Sequence, residues 1–296
     1  KVIRALSLLE MLVKAGCPLV FKGGTALMLI LGKSAHRLSI DIDVICPPGT
    51  NIEDYLKSFA DFGFINLELV ERKQRDDADI PKSHSKFFYQ IAYRNDTDAQ
   101  SYILLDVLYE DIHYFRTQQI AIDCPFIRLE GKPLMVTVPS AEDILGDKLT
   151  AFAPNTTGIP YYKNGRSCSM EIAKQLYDVG RLFENVSDLQ ITKEAFRKIA
   201  VVELSYRSFG TDIGQIFNDI RQTALCISTR GKAGEGDFDL IQDGIIRVKS
   251  FMYKQRYLID HAIIDAARAA YLATLIEKGI NEIESYSNNP ADIKDM

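Results

Sequence analysis

Apolar residues recur at helical spacing from Arg4 to Ala15, where Leu6, Leu8, Leu9, Leu12 and Val13 mark a face and Gly16 stops the run. Pro18 to Lys22 reads as a short strand. Gly23-Gly24 turns the chain, Thr25 is placed to cap a helix, and Ala26 to Leu31 is a short buried helix ended by Gly32. From Leu38 to Ile45, β-branched residues alternate with polar ones until Pro47-Pro48-Gly49, which predicts a strand. Asn51 to Phe62 reads as a helix, with Glu53 and Asp54 near its N-terminus. Strand-like runs follow at Phe64–Arg72, Lys86–Arg94 and Tyr102–Tyr109. The turn Asn95 to Asp98 joins the last two as an antiparallel hairpin.

The pattern changes after Pro139. Ser140 to Asp143 resembles a capping box ahead of the apolar run Ile144–Phe152, and 153–169 is rich in Gly, Pro, Asn and Ser and reads as a loop. Helical stretches follow near 170–185, 192–205, 211–227, 236–252 and 257–286. The expected fold class is α+β: a mixed sheet with helices over residues 1–138, then an all-helical domain over 139–296. Two domains also suit a chain of 296 residues.

Composition narrows the class. Hydrophobic residues at 47% and charged residues at 25% are ordinary for a globular protein, and no apolar run reaches the roughly 18 residues of a membrane span. The N-terminus is amphipathic, not signal-like, and without an initiator Met the natural chain is expected to begin upstream. Five scattered cysteines without a CxxC argue against a disulfide framework and structural zinc, and are expected to be reduced thiols in the cytoplasm. A net charge of −5 does not advertise nucleic-acid binding. Local basic clusters do occur, at Lys163, Arg166, Lys174 and Arg181 and at Arg247, Lys249, Lys254 and Arg256; a solvated helix face explains them equally well.

The candidate chemistry lies in the strand. Asp41 and Asp43 are two residues apart and share one face, while Ile40, Ile42 and Val44 share the other. Carboxylates held side by side repel unless a cation lies between them. Asp106, in the run Tyr102–Tyr109, is a third acid that needs a partner, either a metal or a salt bridge. Three such acids suit Mg²⁺, a hard cation with oxygen ligands. Lys22-Gly23-Gly24-Thr25 places a glycine turn before a helix start, where phosphate can approach the backbone; it is neither GxGxxG nor a Walker A loop. His84, His113 and His261 follow no metal spacing and read as structural or surface residues.

Phe21 to Leu27, followed by His36-Arg37-Leu38-Ser39-Ile40-Asp41-Ile42-Asp43-Val44, resembles the AbiEii/AbiGii nucleotidyltransferase toxins, a family within the DNA polymerase β-like nucleotidyltransferase superfamily. Glu142 to Ala151, centred on Lys148, and Lys174 to Val179, with Asp178 as its acid, resemble two later motifs of that family. Leu38 and Gln175 depart from the family pattern, which has Phe and commonly an acid there. The resemblance spans 20–180; the last third matches only in being helical.

The resemblance implies a polymerase β-like sheet domain and a Mg²⁺- or Mn²⁺-dependent transfer of NMP from an NTP. Asp41, Asp43 and Asp106 would be the metal and catalytic acids, with Lys148 and Asp178 as further catalytic groups. Lys22, Gly23, Gly24, Thr25, Arg37 and Ser39 would bind the nucleotide, Arg37 either touching substrate or strapping the acidic pair. It also implies a toxin of a toxin–antitoxin or phage-defence pair, a separately encoded antitoxin, and a tRNA acceptor. The rival readings are transfer to a small molecule or protein side chain, a nucleotide-binding regulator without turnover, and an interaction protein whose acids are merely solvated.

Overall fold

The computed structural model describes residues 1–70, 82–90, 100–186, 188–206, 212–253 and 255–283. Helix α1 (Val2–Lys14) buries Ala5, Leu6, Leu8, Leu9, Met11 and Leu12, the stripe its spacing predicts. Strand β1 (Val20–Lys22) runs straight into α2 (Gly23–Leu31), and β2 (Ile42–Cys46) follows. The segment 51–62 differs from the helix expected of it. It forms two short 3₁₀ turns, Ile52–Tyr55 and Phe59–Phe62, ended by Gly63 at φ +79°. Ile52 and Leu56 are its buried apolar residues, too few for a helical stripe.

Strands β3 (Asn66–Val70), β4 (Lys82–Gln90) and β5 (Gln100–Tyr109) complete a five-stranded sheet of order β1-β2-β5-β4-β3. It is mixed as expected: β2 and β5 are parallel and the other pairings antiparallel. Strand β4 begins before Lys86, while the expected turn at Asn95–Asp98 and the strand ends at 71–72 and 91–94 lie outside the described residues. Two strands absent from the sequence reading, β6 (Thr117–Ala121) and β7 (Met135–Pro139), form an antiparallel pair leading into α3 (Ala141–Ala151).

Within 153–169 lies a small hairpin, β8 (Tyr162–Lys163) and β9 (Arg166–Ser167), turned by Asn164 and Gly165 at φ 51° and 74°. Helices α4 (Ser169–Phe183), α5 (Leu189–Ser205), α6 (Ile213–Ser228), α7 (Phe238–Val248) and α8 (Ile259–Lys278) follow. Helix α7 is shorter than expected because Lys249–Phe251 tightens to 3₁₀ and Met252 bridges to Arg37. Gly279 at φ +73° ends α8, and the expected tail at 284–286 lies outside the described residues.

Buried apolar side chains fall into two large clusters. One gathers α1, the sheet and β7, with Phe21, Met28, Phe64 and Phe87 at its centre; the other gathers α3 to α8 around Leu145, Phe152, Leu176, Phe196 and Leu272. Helix α2 serves both: Met28 and Leu29 face the sheet cluster and Leu27 the helical one.

Candidate active site

Strand registry builds the site. Lys22 on β1 pairs with Asp43 on β2, Asp43 with Asp106 on β5, and Asp106 with His84 on β4. Register partners share a face, so one row crosses four strands as Lys22, Asp43, Asp106 and His84. Asp41 belongs to the same side, just ahead of β2. The apolar partners Ile42 and Val44 point into the core, the alternation the sequence predicts.

The row is electrically crowded. Burial, then Asp106 and Asp41, push the Asp43 carboxyl up to about 7 against the opposing pull of Lys22 and Lys148. Burial also raises Asp41; Lys174 opposes the shift and Asp106 adds to it. His84 Nδ1 bonds Asp106 Oδ1, so the third acid already has a partner, and a histidine that reads as structural belongs to the site. Among the described residues no three His, Cys, Asp or Glu side chains converge on a point that could hold a metal ion. Mg²⁺ is commonly held by one or two carboxylates plus substrate phosphates. Two hard-oxygen donors whose mutual repulsion a cation would relieve fit that requirement.

Glycines set the approach. Gly23 has φ +77°, and a Cβ there would collide with Asp43 Oδ2. A Cβ on Gly24 would come within 2.8 Å of an Arg37 guanidinium nitrogen and 2.9 Å of Ser39 Oγ. Helix α2 begins at Gly23, not after Thr25. Thr25 is fully buried, and its hydroxyl donates to the Asp41 carbonyl at 2.7 Å, which holds the backbone beside the acids.

The facing wall comes from α3 and α4. Lys148, only 7% exposed, puts Nζ 3.0 Å from Asp178 Oδ2 and donates to Gln175 Oε1 at 2.9 Å. Arg37 is not strapped to Asp41 and Asp43. It grips Asp178 with two bonds, Nε to Oδ1 at 2.9 Å and a terminal nitrogen to Oδ2 at 2.7 Å. Burial works against charge on Asp178, but Arg37 and then Lys148 outweigh it and hold the carboxyl below its usual range.

Asp147, not singled out in the sequence, lies 3.3 Å from Lys22 Nζ and accepts from Tyr114 Oη at 2.9 Å. Burial opposes the Lys22 charge, but Asp147, Tyr114 and Asp43 together outweigh it and hold the ammonium well above its usual range. The signal was available, since Asp147 immediately precedes Lys148 in the motif.

A cleft of about 300 Å³ brings together Lys22, Gly23, Gly24, Arg37, Ser39, Asp41, Asp43 and Lys148. Asp147, Glu171, Lys174 and Gln175 also line it. Thr25, Asp106 and Asp178 stand behind or beside that lining. Lys174 makes no ion pair within 4 Å among the described residues; its Nζ lies 3.9 Å from the centroid of Phe251. Burial, then Arg37, lower its pKa. The arrangement joins closely spaced carboxylates to a wall of cations around a glycine-lined helix start, and suits a polyanion bearing a divalent ion.

Comparison with known proteins agrees. The model of the family described as nucleotidyl transferase AbiEii toxin, type IV toxin–antitoxin system, matches residues 6–271. No curated protein sequence matches the chain. Among solved structures, JHP933 from Helicobacter pylori is 17% identical with a TM-score of 0.45, covering 92% of this chain and 90% of that one. MenT4, a nucleotidyltransferase toxin from Mycobacterium tuberculosis H37Rv, is 13% identical with a TM-score of 0.42, covering 99% and 84%. With a family model matched over nearly its whole length, the chain belongs to the AbiEii nucleotidyltransferase toxins, enzymes that use an NTP and are paired with a separate antitoxin.

Proposed function

We propose that this cleft transfers a nucleoside monophosphate from an NTP to the terminal hydroxyl of a tRNA, with Mg²⁺ or Mn²⁺ as the metal, in the cytoplasm. The observation that carries the reading is the cross-strand row Lys22, Asp43, Asp106 and His84 facing Lys148 across a glycine-lined cleft. The tRNA acceptor follows from the motif resemblance alone.

Asp41 and Asp43 would hold the metal. When bound, it neutralises phosphate charge and makes the α-phosphorus more electrophilic. Gly23, Gly24 and Ser39 receive the triphosphate at the positive end of α2, where a side chain on either glycine would intrude. Lys22, restrained by Asp147, adds fixed positive charge. Lys148 moves from Asp178 and Gln175 to the departing pyrophosphate as a point charge. Asp178 keeps Lys148 and Arg37 in place until then, so both are positioned before substrate arrives. Asp106, oriented through Oδ1 by His84, takes the proton of the attacking hydroxyl at Oδ2. We also propose that the chain divides at 138/139 into a sheet domain and a helical domain; the two apolar clusters support this.

The test is incubation with each α-labelled NTP, total tRNA and Mg²⁺ beside the Asp41→Asn/Asp43→Asn variant. Label on tRNA from wild type alone is the expected result. Label that persists in the variant overturns the site, and the absence of label with every NTP overturns the acceptor.

A further inference from the structure

A second concavity, of about 620 Å³, opens where the start of α4 meets the end of α7 and is lined by Met170, Ile246, Arg247, Lys249 and Ser250. Its lining is partly apolar, with Ile246 62% exposed beside Met170. Arg247 lies 3.6 Å from Asp243, one turn earlier, with both side chains about half exposed. Such a pair contributes little and leaves the guanidinium available. Lys249 makes no ion pair among the described residues.

This groove and the cleft share a rim. Met170 lines the groove and its neighbour Glu171 lines the cleft. One turn along α4, Lys174 reaches into the cleft with its ammonium over the ring of Phe251, the residue after Ser250. The Phe251 carbonyl accepts from Leu38 N–H at 2.8 Å, next to Ser39 in the cleft wall. Beyond the start of α4, the exposed Lys163 and Arg166 stand opposite each other on the β8–β9 hairpin.

We propose that this groove seats a single-stranded segment of a polynucleotide acceptor and leads its end into the cleft. Cations beside an apolar floor match a strand that offers phosphates on one side and base and ribose faces on the other. The chain carries a net charge of −5, so a polyanion gains electrostatically only where cations are gathered locally. Continuity with the reacting centre favours the acceptor over an acidic protein, whose docking there would not need a shared rim. The inference rests on the transfer reading for what the seated end is used for, but not for binding itself.

The test is fluorescence anisotropy of a labelled single-stranded RNA of about 12 nucleotides against the full chain across a salt series. Arg247→Glu/Lys249→Glu is expected to weaken binding about tenfold or more. Arg247→Gln/Lys249→Gln is expected to lower the slope of log K against log salt by about 1.4, two phosphate contacts at about 0.7 each. Binding of a fluorescent NTP with Mg²⁺ to the cleft, and the melting temperature, should stay unchanged in both variants, which would exclude misfolding. Wild type that does not bind the RNA, or variants that match it in affinity and salt slope, overturn the groove. Failure of the transfer reading would show separately, as wild type that binds RNA through the groove yet releases no pyrophosphate from any NTP.

Discussion

Asp43 sits between a cation on β1 and another carboxylate on β5, and its properties come from those neighbours. In the absence of metal its charge is a burden on the fold, so Asp43→Asn should not lower the melting temperature and should raise it slightly. The same variant should lose stabilisation by Mg²⁺ and NTP, which in wild type is about 2.7 kcal/mol at a hundredfold excess over Kd. Thermal melts with and without Mg²⁺–NTP read both effects; an equal ligand shift in the variant would remove Asp43 from the site. Gly23→Ala should behave oppositely and destabilise by about 1–3 kcal/mol even without ligand, since its φ is positive and its Cβ would meet Asp43. Asp41 and Asp43 were legible because a period of two is local information. His84 was not, because its role depends on which strand lies alongside; Asp147 had a signal in its place before Lys148, but its pairing with Lys22 depends on which strand lies alongside.

Helix α3 shows how an element positions a site. Ser140 Oγ accepts from Asp143 N–H at 3.1 Å, the cap that the sequence signals. Asp143 also accepts the backbone N–H groups of Phe115 and Arg116 at 2.7 and 3.0 Å, tying the chain before β6 to the helix that carries Asp147 and Lys148. Ser140→Ala should therefore cost about 1 kcal/mol. Asp143→Ala should cost more, about 2–4 kcal/mol, because it leaves two backbone donors without their carboxylate. Denaturant titration of both variants checks the order; equal costs would mean that the ties to Phe115 and Arg116 contribute nothing. Gly146 on the same helix lets α5 approach, since a Cβ would lie 2.7 Å from the Phe196 nitrogen. Long amphipathic helices were readable from their stripes. The β8–β9 hairpin carried a readable Asn-Gly turn signal that went unread in a loop-like composition. Strand β6 is polar and exposed over Thr117, Gln118 and Gln119 and so carries no apolar alternation, whereas β7 buries Val136 and Val138 at a period of two, a readable signal in a very short run.

The two apolar clusters meet at the cleft, and polar contacts help hold them together. Arg37 follows α2 while Asp178 lies on α4, and their two-bond pair is almost fully buried. Next to it, Leu38 N–H donates to Phe251 O and Tyr253 N–H to His36 O. Asp178→Asn should therefore destabilise by about 3–5 kcal/mol, because Arg37 and Lys148 lose their counter-charge. The folded pKa of Asp178 is depressed, so this stabilisation is present above the ordinary carboxylate pKa of 3.8 and is lost as pH falls through the lower folded value. The difference in melting temperature between wild type and variant should thus be steady from pH 7 to about pH 5 and shrink below about pH 4. A difference that is unchanged at pH 3, or absent at pH 7, would contradict the burial of this pair.

Periodicity and a few short motifs were enough to determine the α+β class, the order of the principal helices and strands, the paired acids and the family. Each of these depends on residues within a turn or a strand of one another, so local sequence carries it. What only the tertiary structure decided are the partnerships: Arg37 with Asp178 rather than with the acidic pair, His84 with Asp106, Asp147 with Lys22, and the shared rim of groove and cleft. The energy of a buried charge depends on which opposite charge the folded chain brings within about 4 Å of it, and sequence distance does not contain that information.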